Sequence, residues 1–296
     1  LERAGAALAV LWIVAAAAVS TRDYFVRWAN DPEVRGAYHA TLLQGLDTLS
    51  AIPAPRTTLI SSPLPGVAHD PYIGELSPAA PTHDLRFANT SNALLLPSVD
   101  SALLYTSETV PAHPALDVAV MQSSEFHTRP DDLDSKYVIA TFSPRDTARM
   151  FTARVAAPDN DTVFGHAVRL EGAAWLRETY HAGETAELLT VWRVVDSAGV
   201  GPPAPPAGRS DVVLFTHVLD AEGALVAQRD ELGAPSWQWQ TGDTIVQIHA
   251  LPLPAAMEAA TYRTVVGIYD HLSGVRLATE SGADIAEVLP LRVVSP

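Results

Sequence analysis

Hydrophobic and polar positions follow three different patterns along this chain. From Ala4 to Thr21, eighteen consecutive residues carry no charge and are mostly Ala, Val, Leu and Ile, with Trp12 in the middle. That length reaches the lower end of what a membrane-spanning helix needs, about 17–25 residues. Between Val34 and Leu49 the apolar positions Val34, Tyr38, Leu42, Leu46 and Leu49 recur every three or four residues, which marks one face of a helix. Asn30-Asp31-Pro32-Glu33 supplies its start, with a capping side chain, Pro in the first turn and an early acidic residue. Pro53 and Pro55 stop it near Ile52, because proline cannot continue a helix.

Beyond that helix the apolar runs are short. Arg56–Ser61, Asn92–Leu96 and Ala102–Thr106 read as strands, and with the helix they predict a small α/β layer. From about Ser135 runs rich in β-branched and aromatic residues recur, at Tyr137–Phe142, Val163–Leu170, Ala186–Val195, Val212–Leu219, Ala224–Gln228, Thr244–Leu251, Tyr262–Tyr269, Val275–Thr279 and Ala286–Val294. Asp220–Gly223 and Asp270–Gly274 are hairpin-length loops closed by glycine. Ser197–Ser210 interrupts the strands as a flexible surface loop. The predicted fold is mainly β: an N-terminal transmembrane helix over residues 1–22, a helix plus short-strand α/β region over 23–130, and a jelly-roll-like β-sandwich domain over 131–296.

The apolar start has a rival reading as a signal-peptide core, since Ala16-Ala17-Ala18-Val19-Ser20 suits cleavage. Two features favour the membrane helix. The chain opens at Leu1 without methionine, which points to sequence upstream. Tyr24, Phe25 and Trp28 follow the run where an aromatic belt would meet the membrane–water interface. Flanking charges (Glu2 and Arg3, Arg22 and Asp23) are too balanced to orient the helix.

Charge then narrows the partners. The 296 residues hold 34 acidic and 19 basic side chains, a net −15, and Lys136 is the only lysine. Such a balance argues against nucleic acid or anionic lipid as the main partner. Apolar residues make up 48% of the chain, enough for a sizeable core. Cysteine is absent, which removes disulfides, thiolate nucleophiles and zinc–thiolate sites.

No cofactor, metal or catalytic motif emerges. Gly199–Ala204 matches G-x-G-x-x-A, but prolines stand where the helix must begin. The ten histidines lack ligand-like spacing, and His217 and His249, within predicted strands, read as hydrogen-bonded or half-exposed side chains. Asp131-Asp132-Leu133-Asp134 and Asp159-Asn160-Asp161 bring carboxylates close enough for Ca²⁺, yet Asp and Asn are also common turn residues. Trp237 and Trp239, two apart, project from one face of an extended strand. They are the candidate sugar-stacking platform, with core packing as the competing reading. Trp175 and Tyr180 form a looser aromatic set with the same two readings, and Trp192 reads as core.

One linear pattern is familiar. An apolar helix leads into Asp23-Tyr24-Phe25-x-x-Trp28-Ala29, and Leu94-Leu95-Leu96-Pro97 follows a capped helix. The later part carries Gly183-Glu184, Val191-Trp192, Leu214-Phe215-Thr216-His217-Val218-Leu219-Asp220, Trp239-x-x-Gly242-Asp243 and Gly267-Ile268-Tyr269-Asp270. This resembles the C-terminal extracytoplasmic region of bacterial membrane glycosyltransferases of family 39, the protein-mannosyltransferase-like group. The resemblance implies a GT-C-type transferase that uses a lipid-phosphate-linked sugar, with its catalytic acidic residues in a loop upstream of Leu1. No catalytic residue is therefore assigned in this chain. The expected role is to position acceptor or donor outside the membrane. The alternatives are a secreted or anchored carbohydrate-binding sandwich and an adhesion module.

Overall fold

The computed structural model describes residues 2–160, 162–200 and 211–295. The apolar run forms α1 (Glu2–Arg22), which continues through a π turn (Asp23–Arg27) and a 3₁₀ turn (Trp28–Asn30). The resulting helix from Arg3 to Asn30 is long and apolar enough to cross a membrane, and none of it is buried against the body. At its end Tyr24 stacks on Trp28 with ring centroids 4.8 Å apart, and Trp28 meets Tyr38 edge-on.

The helix predicted to run to Ile52 is two helices. Asp31 caps α2 (Pro32–Ala37) by accepting from the Glu33 and Val34 amides. His39 then adopts a left-handed backbone (φ 53°), and α3 (Ala40–Ser50) starts afresh. Histidine tolerates that conformation better than most side chains. The break leaves Tyr38 exposed beside Trp28, while Leu42, Leu46 and Leu49 stay on the buried face.

Three five-stranded sheets follow. The first contains β1 (Thr57–Ser61), β2 (Asp84–Ala88), β4 (Ala102–Ser107), β5 (Val120–His127) and β6 (Lys136–Phe142), in the order β2-β1-β4-β6-β5. Short helix α4 (Asp70–Glu75) links β1 to β2, and β1 runs parallel to both β2 and β4. The second sheet joins β3 (Ala93–Leu96) to β7 (Val163–Phe164), β8 (Val168–Trp175), β10 (Thr185–Val194) and β13 (Thr244–Pro252). The third holds β9 (Tyr180–His181), β11 (Val212–Leu219), β12 (Leu225–Glu231), β14 (Thr261–Asp270) and β15 (Ala286–Val294). Helix α5 (Pro144–Arg154) follows β6, capped by Ser143. The body is a curled, sandwich-like β assembly behind an N-terminal apolar helix.

Sheet membership crosses the boundary expected at residue 130. Strand β3 leaves the α/β region to pair with β13, while β6 lies in the first sheet beside β4. Both faces of the central strands β1, β4 and β6 are buried, so these strands alternate between two cores, while edge strand β5 is exposed. Leu59, Leu104 and Ala140 join the large core shared with the second and third sheets, centred on Trp192, Phe164 and Ile245. Ile60, Leu103, Tyr105 and Ile139 face the other way, against Leu42, Leu46 and Leu49 of α3.

Three further expectations are corrected. The run Val163–Leu170 is a hairpin, broken where Gly165 and His166 take positive φ. Val275–Thr279 forms no continuous strand: it bridges β14 at Arg276 and then turns to meet Phe164 at Thr279. Ser236–Gln238 is a 3₁₀ turn, so the indoles of Trp237 and Trp239 do not share a strand face. Residues 201–210 of the predicted loop, and Asp161, lie outside the described residues.

Candidate functional site

The first sheet has a topological switch point. From β1 the chain passes through α4 to β2 on one side, and the sheet's next strand, β4, lies on β1's other side. In open α/β sheets ligands bind at the carboxyl ends of the strands where the order reverses. A pocket of about 140 Å³ lies there, and five segments wall it. The α2–α3 junction brings Arg35, Gly36 and His39, and the end of β1 brings Ser61 and Pro63. From the end of β4 come Tyr105, Ser107 and Thr109, and from the β5–β6 loop Asp132, Leu133 and Asp134. Asp70, the first residue of α4, completes it.

Small residues allow this convergence. A Cβ on Gly45 would sit 2.2 Å from Tyr105 Cε2, so the Tyr105 ring lies directly against α3. A Cβ on Gly36 would meet Leu133 Cδ1 at 2.3 Å, so the β5–β6 loop closes on α2. Arg35 fastens that loop, donating from Nε and Nη2 to the two Asp132 oxygens at 2.5 and 2.8 Å. Arg129 of the same loop donates to Asn30 Oδ1 at 2.5 Å, at the last turn of the membrane-type helix. The pocket is thereby fixed beside the foot of that helix.

Its polar groups are unevenly satisfied. Ser62 donates to Asp70 Oδ2 at 2.6 Å, and Thr109 donates to Asp134 Oδ2. His39 Nδ1 lies 3.3 Å from Asp70 Oδ1, at ion-pair distance but without hydrogen-bond alignment. Asp70 Oδ1, Asp134 Oδ1 and the Tyr105 hydroxyl are buried and make no hydrogen bond. Burial first, then the negative charge of Asp134, pushes the Tyr105 phenol well above its ordinary pKa, and Asp70 adds to the shift. Ser107 lies near enough to offset this slightly but misses hydrogen-bond geometry. The phenol therefore stays protonated and is a donor awaiting an acceptor. Buried polar groups are rarely left unpaired, which makes this trio the candidate recognition surface.

Of the predicted site residues, none lines this pocket. Trp239 is core, 3% exposed, with Nε1 donating to the Ala234 carbonyl at 2.9 Å. Trp237 is half-buried in a separate cleft of about 170 Å³ with Pro71, Glu75, His83 and Phe87, and its Nε1 makes no hydrogen bond. Trp175 donates from Nε1 to the Leu289 carbonyl at 3.0 Å and packs edge-on against Tyr180. Tyr180 is buried, its hydroxyl donating to the Glu187 carbonyl at 3.2 Å. Tyr180 thus packs in the core, while Trp175 is half-buried at its edge. The acidic cluster at Asp131–Asp134 gives the pocket two carboxylates, Asp132 and Asp134, but among the described residues no three His, Asp or Glu side chains form a group able to hold a metal. Sequence reasoning missed His39, Asp70 and Tyr105. The one local signal was Gly36 and Gly45 on helices otherwise built for packing.

A second cluster lies on the outer face of the third sheet. Tyr269 donates to Asp230 Oδ2 at 3.3 Å, His217 Nε2 lies 3.7 Å from Asp230 Oδ1, and Arg276 stands over the Phe215 ring. Its cleft is open and its groups are paired with one another.

No family model matches the chain, and no curated protein matches it. Several solved structures are weakly similar. A β-glucuronidase from glycoside hydrolase family 2 aligns at 15% identity over 56% of this chain and 14% of its own length, with a TM-score of 0.27. The β-glucuronidase of Bacteroides uniformis aligns at 12% identity over 64% of this chain and 25% of its own, with a TM-score of 0.25. A domain of the outer membrane lipoprotein Omp28 from Porphyromonas gingivalis aligns at 10% identity over 47% of this chain and 99% of its own, with a TM-score of 0.24. At scores this low, these likenesses say nothing about what the chain does.

Proposed function

We propose that this chain is the membrane-anchored, extracytoplasmic module of a glycosyltransferase, and that its switch-point pocket holds the hydroxyl-rich headgroup of a membrane-borne saccharide. The observation that carries this reading is the pairing of three unsatisfied buried oxygens with a position at the foot of an apolar helix. A phenol donor and two carboxylate acceptors match a ring bearing several hydroxyls. The location matches a sugar presented from the bilayer surface. The family resemblance supports the same role, positioning donor or acceptor for chemistry performed elsewhere.

The test uses the full chain in lipid nanodiscs, titrated with monosaccharides and followed by saturation-transfer NMR. Binding is expected, and Tyr105→Phe is expected to weaken it about 2- to 10-fold, the worth of one hydrogen bond. Sugar binding that is absent, or indifferent to Tyr105→Phe, overturns the reading.

A second reading rests on Trp237. Its unpaired indole N–H beside a cleft suits sugar stacking in a carbohydrate-binding module without any transferase. In that case Trp237→Ala abolishes binding and Tyr105→Phe leaves it unchanged.

A further inference from the structure

We infer that the switch-point pocket selects an amine-bearing sugar, whose ammonium group is held by Asp70 and Asp134 while Tyr105 donates to a ring oxygen or hydroxyl. This rests on the saccharide-binding reading and specifies which saccharide. The charges of the pocket decide the matter. Arg35 is consumed by its two-point pairing with Asp132, so that pair presents no net charge to a ligand. What remains is Asp70 and Asp134, each with one oxygen already receiving a side-chain hydroxyl and the other buried without a hydrogen bond, that of Asp70 lying 3.3 Å from His39 Nδ1. The only remaining cation among the lining residues is His39, and only when protonated.

Two unpaired carboxylate oxygens bracket a site whose one orphan donor is a phenol. A phosphate placed there meets like charge. A neutral sugar satisfies the oxygens with ordinary hydrogen bonds. An ammonium satisfies both with charge-assisted bonds, roughly twice as strong. Tyr105 is 2% exposed and Asp70 also 2%, so a ligand reaches them largely stripped of water. A volume of about 140 Å³ is close to the ~150 Å³ cavity that holds benzene in a well-studied protein, so the enclosed part of the pocket takes the ring and its amine while the pocket stays open on one side.

The experiment titrates the full chain in nanodiscs at pH 6.5 with glucosamine, glucose, N-acetylglucosamine and glucose 6-phosphate. Glucosamine is expected to bind about 10-fold more tightly than glucose or N-acetylglucosamine, with glucose 6-phosphate weakest. Asp134→Asn and Asp70→Asn, each isosteric, are expected to reduce the ratio of glucosamine to glucose affinity to within about 2-fold of unity. Equal affinity for glucosamine and glucose in the unaltered chain overturns the inference and leaves saccharide binding standing, whatever the variants do. A preference that persists in both variants places the ammonium elsewhere and also overturns it. Failure of every sugar to bind overturns the saccharide reading itself.

Discussion

The side chain of Gln238 pairs with the main chain of Phe87 as a neighbouring strand would. The Phe87 amide donates to Gln238 Oε1 at 2.6 Å, and Gln238 Nε2 donates to the Phe87 carbonyl at 2.5 Å. Strand β2 is the edge of the first sheet, so these groups would otherwise be buried without partners. Arg86 strengthens the junction, reaching the Gln238 carbonyl and lying 3.3 Å from the buried Asp243. The turn that displaces the two tryptophans from one face thus closes a sheet edge.

Gln238→Ala should therefore destabilise the protein by roughly 2–4 kcal/mol, since it leaves a buried N–H and a buried C=O unpaired. Gln238→Glu keeps the acceptor and loses the donor, and should fall lower still, with a carboxylate set against the Phe87 carbonyl. Chemical denaturation of the two variants checks the order.

The two tryptophans should behave differently. Trp239→Ala empties a core position and is expected to cost about 3–5 kcal/mol. Trp237→Ala removes a half-buried ring whose N–H has no partner, and a cost below about 2 kcal/mol is expected. Equal losses would show that Trp237 is as much a part of the core as Trp239.

His249 makes the core sensitive to acid. It is fully buried, with Nε2 3.1 Å from the Thr190 hydroxyl, and burial lowers its pKa to about 3. The unfolded chain binds a proton at this residue near pH 6.5, whereas the folded one refuses it until about pH 3. Stability is thus complete above pH 6.5 and falls as pH drops towards 3, by at most about 1.4 kcal/mol per pH unit from this group. Melts across that range should show a shallower decline in His249→Leu.

Arg35 and Asp132 hold the pocket wall. The hydrogen bond from Arg35, more than any other influence, keeps the Asp132 carboxyl below its ordinary pKa of 3.8. The stabilisation from that shift is present above the ordinary carboxylate range and is lost as pH falls through the lowered value. Arg35→Gln should lower stability by about 1–3 kcal/mol, discounted because the arginine side chain is 19% exposed. It should also loosen the β5–β6 loop, read as faster exchange of the Asp132 amide, which donates to the Arg129 carbonyl at 3.1 Å.

The apolar helix should hold the chain in a bilayer against an alkaline wash. Ile13→Arg combined with Ala17→Arg puts two charges near the middle of the span, each costing about 2.5–3.5 kcal/mol to insert. Release of the double variant is expected, and release of the unaltered chain would refute the anchor.

Local order in the sequence determined what the long, strongly patterned segments are. An uncharged run of eighteen residues makes a helix that needs an apolar surrounding, and β-branched alternation makes strands with buried faces. Leu59 against Ile60, and Leu103 against Leu104, already carry the two-sided burial of the first sheet. What no local pattern carries is the choice of partner. A strand with the same alternation fits either sheet, so β3 and β6 exchanged regions through pairings at long range. The left-handed turn at His39 likewise has no local mark, since the residues before and after it have helical periodicity. The pocket follows from those choices. Asp70, Tyr105 and Asp134 lie far apart in the chain and share no motif, and they meet only because β1 and β4 lie side by side with α3 and the β5–β6 loop closed over them. Their unpaired oxygens arise from that enclosure, which removes water from side chains that would be ordinary surface polar groups on an open loop.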